Sequence, residues 1–394
     1  MTDVNNLTEG PKRPPVPLLV QDQLRRKDGK SLAELRSDYQ IKVGWGRKYP
    51  NLISLSASQS SPLDDPLVRQ CHGLVFDMSN KWELIARPTD WFQAFVPPDI
   101  PVVTNLKDVL VQERLDGIRF HMYFYRGEWH VGTLTSPDGA DYGLVGQKYM
   151  SLAEMFWEAF TTHDYALPSA ARWGDWTFCF ELSHPLKRNV VKHAEADLRL
   201  VAARCRNGLE LDINKLHWGE AYGWWLTISE FRFKSVDELI GTFAERNPTE
   251  FAGYVLVDPT AFDGEMGFKR TGITHPGFHH LSTLRSGMSI QRALEMLRRD
   301  PAEVDNLIHH FPEWEPEIGI LKHRLADAIA SLQTGWDELG NLPEAEFNTR
   351  AIGFRMNTVL YQKRKNPEVD IKDLVAAINP KSLLWGLRLR DADL

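Results

Sequence analysis

The chain has 394 residues, enough for two or three domains with cores of their own, and 43% hydrophobic and 25% charged residues, the composition of a globular protein. No apolar run reaches the roughly 18 residues that cross a bilayer, so a membrane is excluded as a partner. A formal net charge of −7 argues against wholesale coating of nucleic acid, while leaving room for a local basic cleft.

The opening Met-Thr-Asp-Val-Asn-Asn lacks the basic and apolar regions of a signal peptide. The three cysteines, Cys71, Cys179 and Cys205, have no metal-ligand spacing and suit a reducing compartment as free, mostly buried thiols. The cytoplasm is the expected location.

In chain order, residues 1–29 read as a flexible arm that begins polar and proline-rich. Ser31-Leu32-Ala33-Glu34 signals a first helix, with a hydroxyl to cap it and Glu34 to reach back to the capping amide. From about 50 to 135 short apolar runs, such as Gly73-Leu74-Val75-Phe76 and Arg119-Phe120-His121-Met122-Tyr123-Phe124-Tyr125, end at turn residues such as Arg126-Gly127. These read as antiparallel strands. Ser151-Leu152-Ala153-Glu154 repeats the capping box and opens a helix to about Thr162. Strands follow at Thr177–Leu182, Val190–His193 and Leu198–Ala203. Ser235-Val236-Asp237-Glu238 opens another capped helix, and Gly253–Val257 is an apolar strand. Beyond about 285 the pattern is helical, as over Ile290–Arg299 and Ile318–Leu332. The expected fold is α+β over residues 30–283, then an all-helical C-terminal domain over 284–394, with no internal repeat.

Glu113-Arg114-Leu115-Asp116-Gly117-Ile118-Arg119 sits just before a predicted strand. Alone it is weak, because Asp-Gly is a common turn dipeptide. Six further segments accompany it in order. They are Pro66-Leu67-Val68-Arg69-Gln70-Cys71-His72-Gly73-Leu74-Val75-Phe76-Asp77, then Ala86-Arg87-Pro88-Thr89-Asp90-Trp91-Phe92-Gln93-Ala94-Phe95, and Gly127-Glu128-Trp129-His130-Val131-Gly132-Thr133. Next come Thr177-Phe178-Cys179-Phe180-Glu181-Leu182-Ser183-His184-Pro185 and Phe251-Ala252-Gly253-Tyr254-Val255. The last is Lys269-Arg270-Thr271, closed by Phe278-His279-His280-Leu281.

Together these segments resemble the phage-type, tRNA-repair family of ATP-dependent RNA ligases, covalent nucleotidyltransferases whose signature is Lys-x-Asp-Gly. The resemblance spans about residues 30–283. It implies a domain of antiparallel sheets flanking a nucleotide cleft, with ATP and Mg²⁺ as cofactors if the pocket still functions. It implies RNA as partner, tRNA-like or as broken ends, with DNA not expected. By the same resemblance Glu181 holds the ribose, and Asp116, Gly117, Arg119 and Lys269 are retained nucleotide-binding positions.

Where the family carries its nucleophilic lysine this chain has Arg114. A guanidinium stays protonated and has no lone pair with which to attack a phosphate. His72 stands where relatives place an arginine, and Trp91 where they place a lysine. Ala252 stands for a metal-binding carboxylate, with Glu250 an imperfect substitute, and Thr271 for the second lysine of the last motif. Each lost cation would have met phosphate charge, and the lost carboxylate a hard cation. Together they read as abandoned catalysis, a pseudoligase that binds RNA ends, a nucleotide or a partner protein. The alternatives are an active ligase, working through a variant site or on pre-adenylated ends, and a non-enzymatic subunit held by its helical domain.

Each residue also has a plainer reading. Arg114 can be a surface arginine on a strand, Glu181 half of a buried salt bridge, and Lys269-Arg270 a solvated basic pair. His279-His280 and His309-His310 are poor metal pairs, because adjacent side chains diverge. Trp129, Trp173, Trp176, Trp224 and Trp225, among 13 tryptophans, are mostly core, with an exposed few able to stack on bases. Lys363-Arg364-Lys365 is a phosphate patch or a solvated helix end.

Overall fold

The computed structural model describes residues 18–26, 31–101, 106–140, 142–145, 148–213, 225–259 and 267–389. The chain divides into two compact units between His280 and Leu281. The first contains α1 (Leu19–Leu24), α2 (Ser31–Ser37), β1 (Lys42–Trp45), β2 (Leu52–Ser56), α3 (Pro66–Gln70), β3 (His72–Asp77), β4 (Glu83–Ala86), β5 (Ala94–Phe95), β6 (Leu110–Glu113), β7 (Ile118–Tyr125) and β8 (Glu128–Thr133). It continues with β9 (Tyr142–Val145), β10 (Lys148–Ser151), α4 (Leu152–Thr162), α5 (Ala170–Trp173), β11 (Trp176–Ser183), β12 (Asp197–Cys205), β13 (Glu210–Leu211), β14 (Glu230–Phe231), α6 (Val236–Gly241), β15 (Gly253–Asp258) and β16 (Lys269–Thr274).

A four-stranded antiparallel sheet, β1-β2-β3-β4, comes first. Residues 18–26 lie within the expected arm, yet α1 forms there and buries Val20 and Leu24 against Leu35, Ile53 and Phe76. The expected capping box at Ser31 does not form. Glu34 instead accepts from Gln23 (2.7 Å) and Arg26 (3.3 Å), residues brought to it by α1, and Ser31 Oγ has no hydrogen-bond partner.

Two five-stranded sheets follow, ordered β13-β12-β11-β7-β8 and β14-β6-β15-β16-β5. All their pairings are antiparallel except that of β16 with β5. Arg126 (φ 50°) and Gly127 (φ 87°) join β7 to β8 in the left-handed region that a tight two-residue hairpin requires. On β7 and β11, Phe120, Met122, Phe178, Phe180 and Leu182 alternate onto one face and pack with Phe156 and Phe160 of α4. Full burial of each phenylalanine contributes about 1.5–3 kcal/mol relative to exposure. The cap of α4 adds about 1 kcal/mol. There the capping box is complete, with Ser151 accepting from the Glu154 amide and Glu154 accepting from the Ser151 amide. Packing, not the cap, therefore holds α4 in place.

Val190–His193, expected as a strand, is an irregular loop. The backbone amides of Val190 and Val191 donate to the Asp116 carboxylate, so they are not available to a strand ladder. At residues 235–238, Ser235 caps α6 as expected, but Glu238 accepts from the Lys234 amide and not from Ser235.

The division between the units falls within α7 (Pro276–Arg285). The second unit is helical: α8 (Ile290–Arg299), α9 (Pro301–His310), α10 (Glu315–Leu339), α11 (Glu344–Ala351), α12 (Thr358–Lys365), α13 (Ile371–Ala376) and α14 (Pro380–Gly386). In its basic triplet, Lys363 Nζ donates to the carbonyls of Pro367 (2.6 Å) and Val369 (2.8 Å). Arg364 donates to Leu342 and lies 4.4 Å from the Phe347 ring centre. Both cations thus tie up the end of α12. Trp129, Trp173, Trp176 and Trp225 pack in or against the first-unit core, whereas Trp224 lies outside the described residues. No described helix is long and apolar enough to cross a membrane.

Candidate functional site

A cavity of about 310 Å³ opens between the two five-stranded sheets. His72, Trp91, Arg114, Asp116, Gly117, Arg119, Glu181, Val255 and Arg270 all line it. Residues from segments scattered over two hundred positions therefore meet in one place. Alternation supplies the walls: β7 and β11 turn their phenylalanines to α4 and Arg119 and Glu181 to the cavity. Opposite, Gln112, Val255 and Arg270 face it from β6, β15 and β16.

Arg119 and Glu181 are cross-strand neighbours, and Arg119 Nη2 donates to Glu181 Oε2 at 3.0 Å. The other carboxylate oxygen accepts from the Gly117 amide at 3.1 Å. Burial lowers the Arg119 guanidinium, but its pairing with Glu181 more than reverses this and holds it above its ordinary value. Gly117 has a steric role as well, since a Cβ there would lie 2.5 Å from the Leu182 carbonyl oxygen. Asp116 is occupied too. Its Oδ1 accepts from Asn189 Nδ2 (2.7 Å), and its Oδ2 from the amides of Val190 (2.7 Å) and Val191 (2.8 Å). The Asp-Gly pair is thus neither a simple turn nor a free catalytic pair; it clasps a loop more than seventy residues away.

Arg114 is half-buried, which excludes the plain surface arginine. Its Nη1 donates to Thr274 Oγ1, and the guanidinium lies 6.0 Å from the Phe278 ring centre. Burial lowers it from its ordinary value, offset in part by the charges of Glu181 and Asp116. His72 presents a neutral ring: burial, and then the positive charge of Arg119, push it down to about 4. Its Nδ1 lies 3.0 Å from the Thr89 carbonyl, which only accepts, so Nδ1 carries the proton and Nε2 is left as an acceptor. Behind it, fully buried His121 is pushed down to about 3 by burial and by His72.

Lys269 and Thr271 do not line the cavity; Arg270 does. Thr271 pairs with Leu256, which pairs with Val111, and both partners belong to the core on the far side of the sheet. Lys269 is exposed, but Arg270 is not a solvated neighbour, because both of its terminal nitrogens pair with buried Glu210. Ala252 is buried outside the cavity, and exposed Glu250 accepts from Asn247 at 3.2 Å. His279 and His280 are exposed and also lie outside it. Sequence reasoning missed Arg270, Gln112 and Glu210. Nothing local marks them; the register of β16 on β15 does.

The cavity therefore pairs apolar and aromatic walls (Trp91, Phe92, Val201, Ile228) with guanidinium groups, two of the three engaged by carboxylates. Of its carboxylates, Asp116 and Glu181 already accept two or more hydrogen bonds each, which leaves Glu113. Among the described residues no group of three His, Cys, Asp or Glu is placed to hold a metal.

No family model and no curated protein matches this chain. Among solved structures, it is similar to archaeal ATP-dependent RNA ligase. Form 1 aligns with a TM-score of 0.43 at 14% identity, over 71% of this chain and 68% of the ligase. Form 2 aligns with a TM-score of 0.45 at 13% identity, over 79% of this chain and 82% of the ligase.

Proposed function

We propose that this chain is an RNA ligase-like pseudoenzyme of the nucleotidyltransferase type, whose cavity binds a nucleotide or an RNA end without forming a lysyl-nucleotide. One observation carries the reading: among the described residues no lysine lines the cavity, and Arg114, which the sequence resemblance aligns with the nucleophilic lysine, does. Attack on an α-phosphate needs a neutral amine, and a guanidinium does not supply one. The convergence of His72, Trp91, Arg114, Asp116, Glu181 and Arg270 on one cavity supports the family resemblance more than any single motif does.

The charge inventory supports loss of the nucleotidyl-transfer step. A triphosphate needs several cations, and here Arg119 is matched by Glu181 and Arg270 by Glu210. Arg114 is the cavity cation outside any ion pair among the described residues. The site accordingly suits a base held by Trp91 and Phe92 and one phosphate held by Arg114. Sealing of pre-adenylated ends leans on the same missing cations and carboxylate, so the inventory counts against it as well.

The test is incubation with α-labelled ATP and Mg²⁺ or Mn²⁺, followed by a denaturing gel, with Arg114→Lys and Arg114→Ala alongside. The expected result is no label on the natural chain, with AMP binding detected by calorimetry. Label on the natural chain that vanishes in Arg114→Ala restores the enzyme and sinks the proposal.

A further inference from the structure

Trp91 and Phe92 form a wall shared by two hollows. On one side is the cavity; on the other is a smaller recess of about 160 Å³, to which Arg69, Asp90, Lys269 and Arg270 contribute. Trp91, Phe92 and Arg270 line both. The wall is anchored: α3 is capped by Asp65, whose carboxylate accepts from the Leu67 amide at 2.8 Å, and the Trp91 amide donates to the Arg69 carbonyl at 3.0 Å. Arg69 and Trp91 therefore keep a fixed relation.

The recess is electrically positive once its pairs are counted. Asp90 is neutralised by fully buried Arg204 at 2.9 Å, and Arg270 by Glu210. This leaves Lys269, which is exposed, and Arg69, whose Nε is shut off from solvent with no hydrogen-bond partner, against Asp64 on an exposed edge. The cavity itself, at about 310 Å³, is at the small end of ligand pockets. An aromatic wall with cations just beyond it is the arrangement that stacks a base and catches the next phosphate of a single strand.

Resting on the reading of the cavity as a nucleotide site, we infer that its ligand is a single-stranded nucleic-acid end of at least two nucleotides. The terminal nucleotide occupies the cavity, the chain crosses Trp91 and Phe92, and the adjoining phosphate sits on Lys269 and Arg69. Lys269 then serves the second nucleotide and not the first, unlike the sequence expectation.

The experiment measures binding of AMP, of the 5′-phosphorylated RNA dinucleotide pApA and of its DNA counterpart to the full chain and to Lys269→Ala and Arg69→Gln. The dinucleotide should bind about tenfold more tightly than AMP, the worth of one stacking or charge-assisted contact. Its salt dependence should be steeper by roughly 0.7 per engaged cation. Lys269→Ala, at an exposed position, should erase the gain and leave AMP unchanged. A gain for RNA alone would mean the 2′-hydroxyl is read, and equal gains would mean phosphate and base suffice; both uphold the subsite. AMP binding with no dinucleotide gain, or an equal loss for both ligands in Lys269→Ala, overturns the subsite while the cavity reading stands. If neither ligand binds, both readings fall.

Discussion

Replacing Asp116 should damage the fold before it damages binding. In Asp116→Ala the amides of Val190 and Val191, both residues buried, lose their acceptors together, while the Asn189 side chain returns to solvent. Each buried donor left unanswered costs about 1–3 kcal/mol. Two of them, with some relaxation of the loop, put the loss at about 2–4 kcal/mol. For a unit of about 280 residues that is a fall in Tm of roughly 3–7 °C. Asp116→Asn keeps one acceptor oxygen and should lose about half as much. The assay is calorimetric unfolding of the full chain together with hydrogen exchange over residues 186–194, where the two amides should lose protection. Unchanged Tm and exchange, combined with weakened AMP binding, would refute the clasp and return Asp116 to the ligand.

Acid should destabilise the first unit through its histidines. His72 is held down to about 4 and His121 to about 3, below the 6.5 of an unfolded histidine, so both are neutral in the folded chain. As pH falls below 6.5 the unfolded chain takes up protons that the folded one refuses. Stability is therefore intact above that value and drains away toward the folded values, with roughly 2 kcal/mol per histidine lost by pH 5. Urea unfolding at pH 7 and pH 5 should show the loss, and His121→Phe should shrink it; an equal pH dependence in that variant would contradict the assignment. Glu210→Gln should cost about 3–5 kcal/mol, because it strands the guanidinium of Arg270 in a buried site. Adding Arg270→Met should recover much of that in urea unfolding, and no recovery would mean the ion pair is not what the loss reports.

Elements whose causes are local were legible in the sequence. Apolar runs over 119–125 and 177–182 announced β7 and β11, Ser151-Leu152-Ala153-Glu154 announced the start of α4, and Arg126-Gly127 announced the turn that ends β7. The helical pattern beyond 285 was equally plain, because 3.6-residue periodicity needs no partner to be read. The candidate site was half legible. The residue types at 72, 91, 114, 116, 119 and 181 were picked out, and all of these line the cavity. What they do there was not visible, because a charged side chain takes its role from whatever lies opposite.

Asp116 could be read as a turn residue or a catalytic one, and its carboxylate is instead filled by amides from residues 190 and 191. Glu181, sought as a ribose ligand, is joined to Arg119 by the pairing of β11 with β7. Lys269 and Arg270 differ by one position, and only the register of β16 on β15 decides which faces the cavity, since a step of one residue turns a side chain to the other face of a sheet. By itself, then, the sequence determined where helices and strands begin and which residues are chemically able to bind or attack; that chemistry already rules out Arg114 as an ordinary nucleophile. Tertiary structure alone decided which charges are neutralised and which remain for a ligand, because that depends on contacts between residues far apart in the chain.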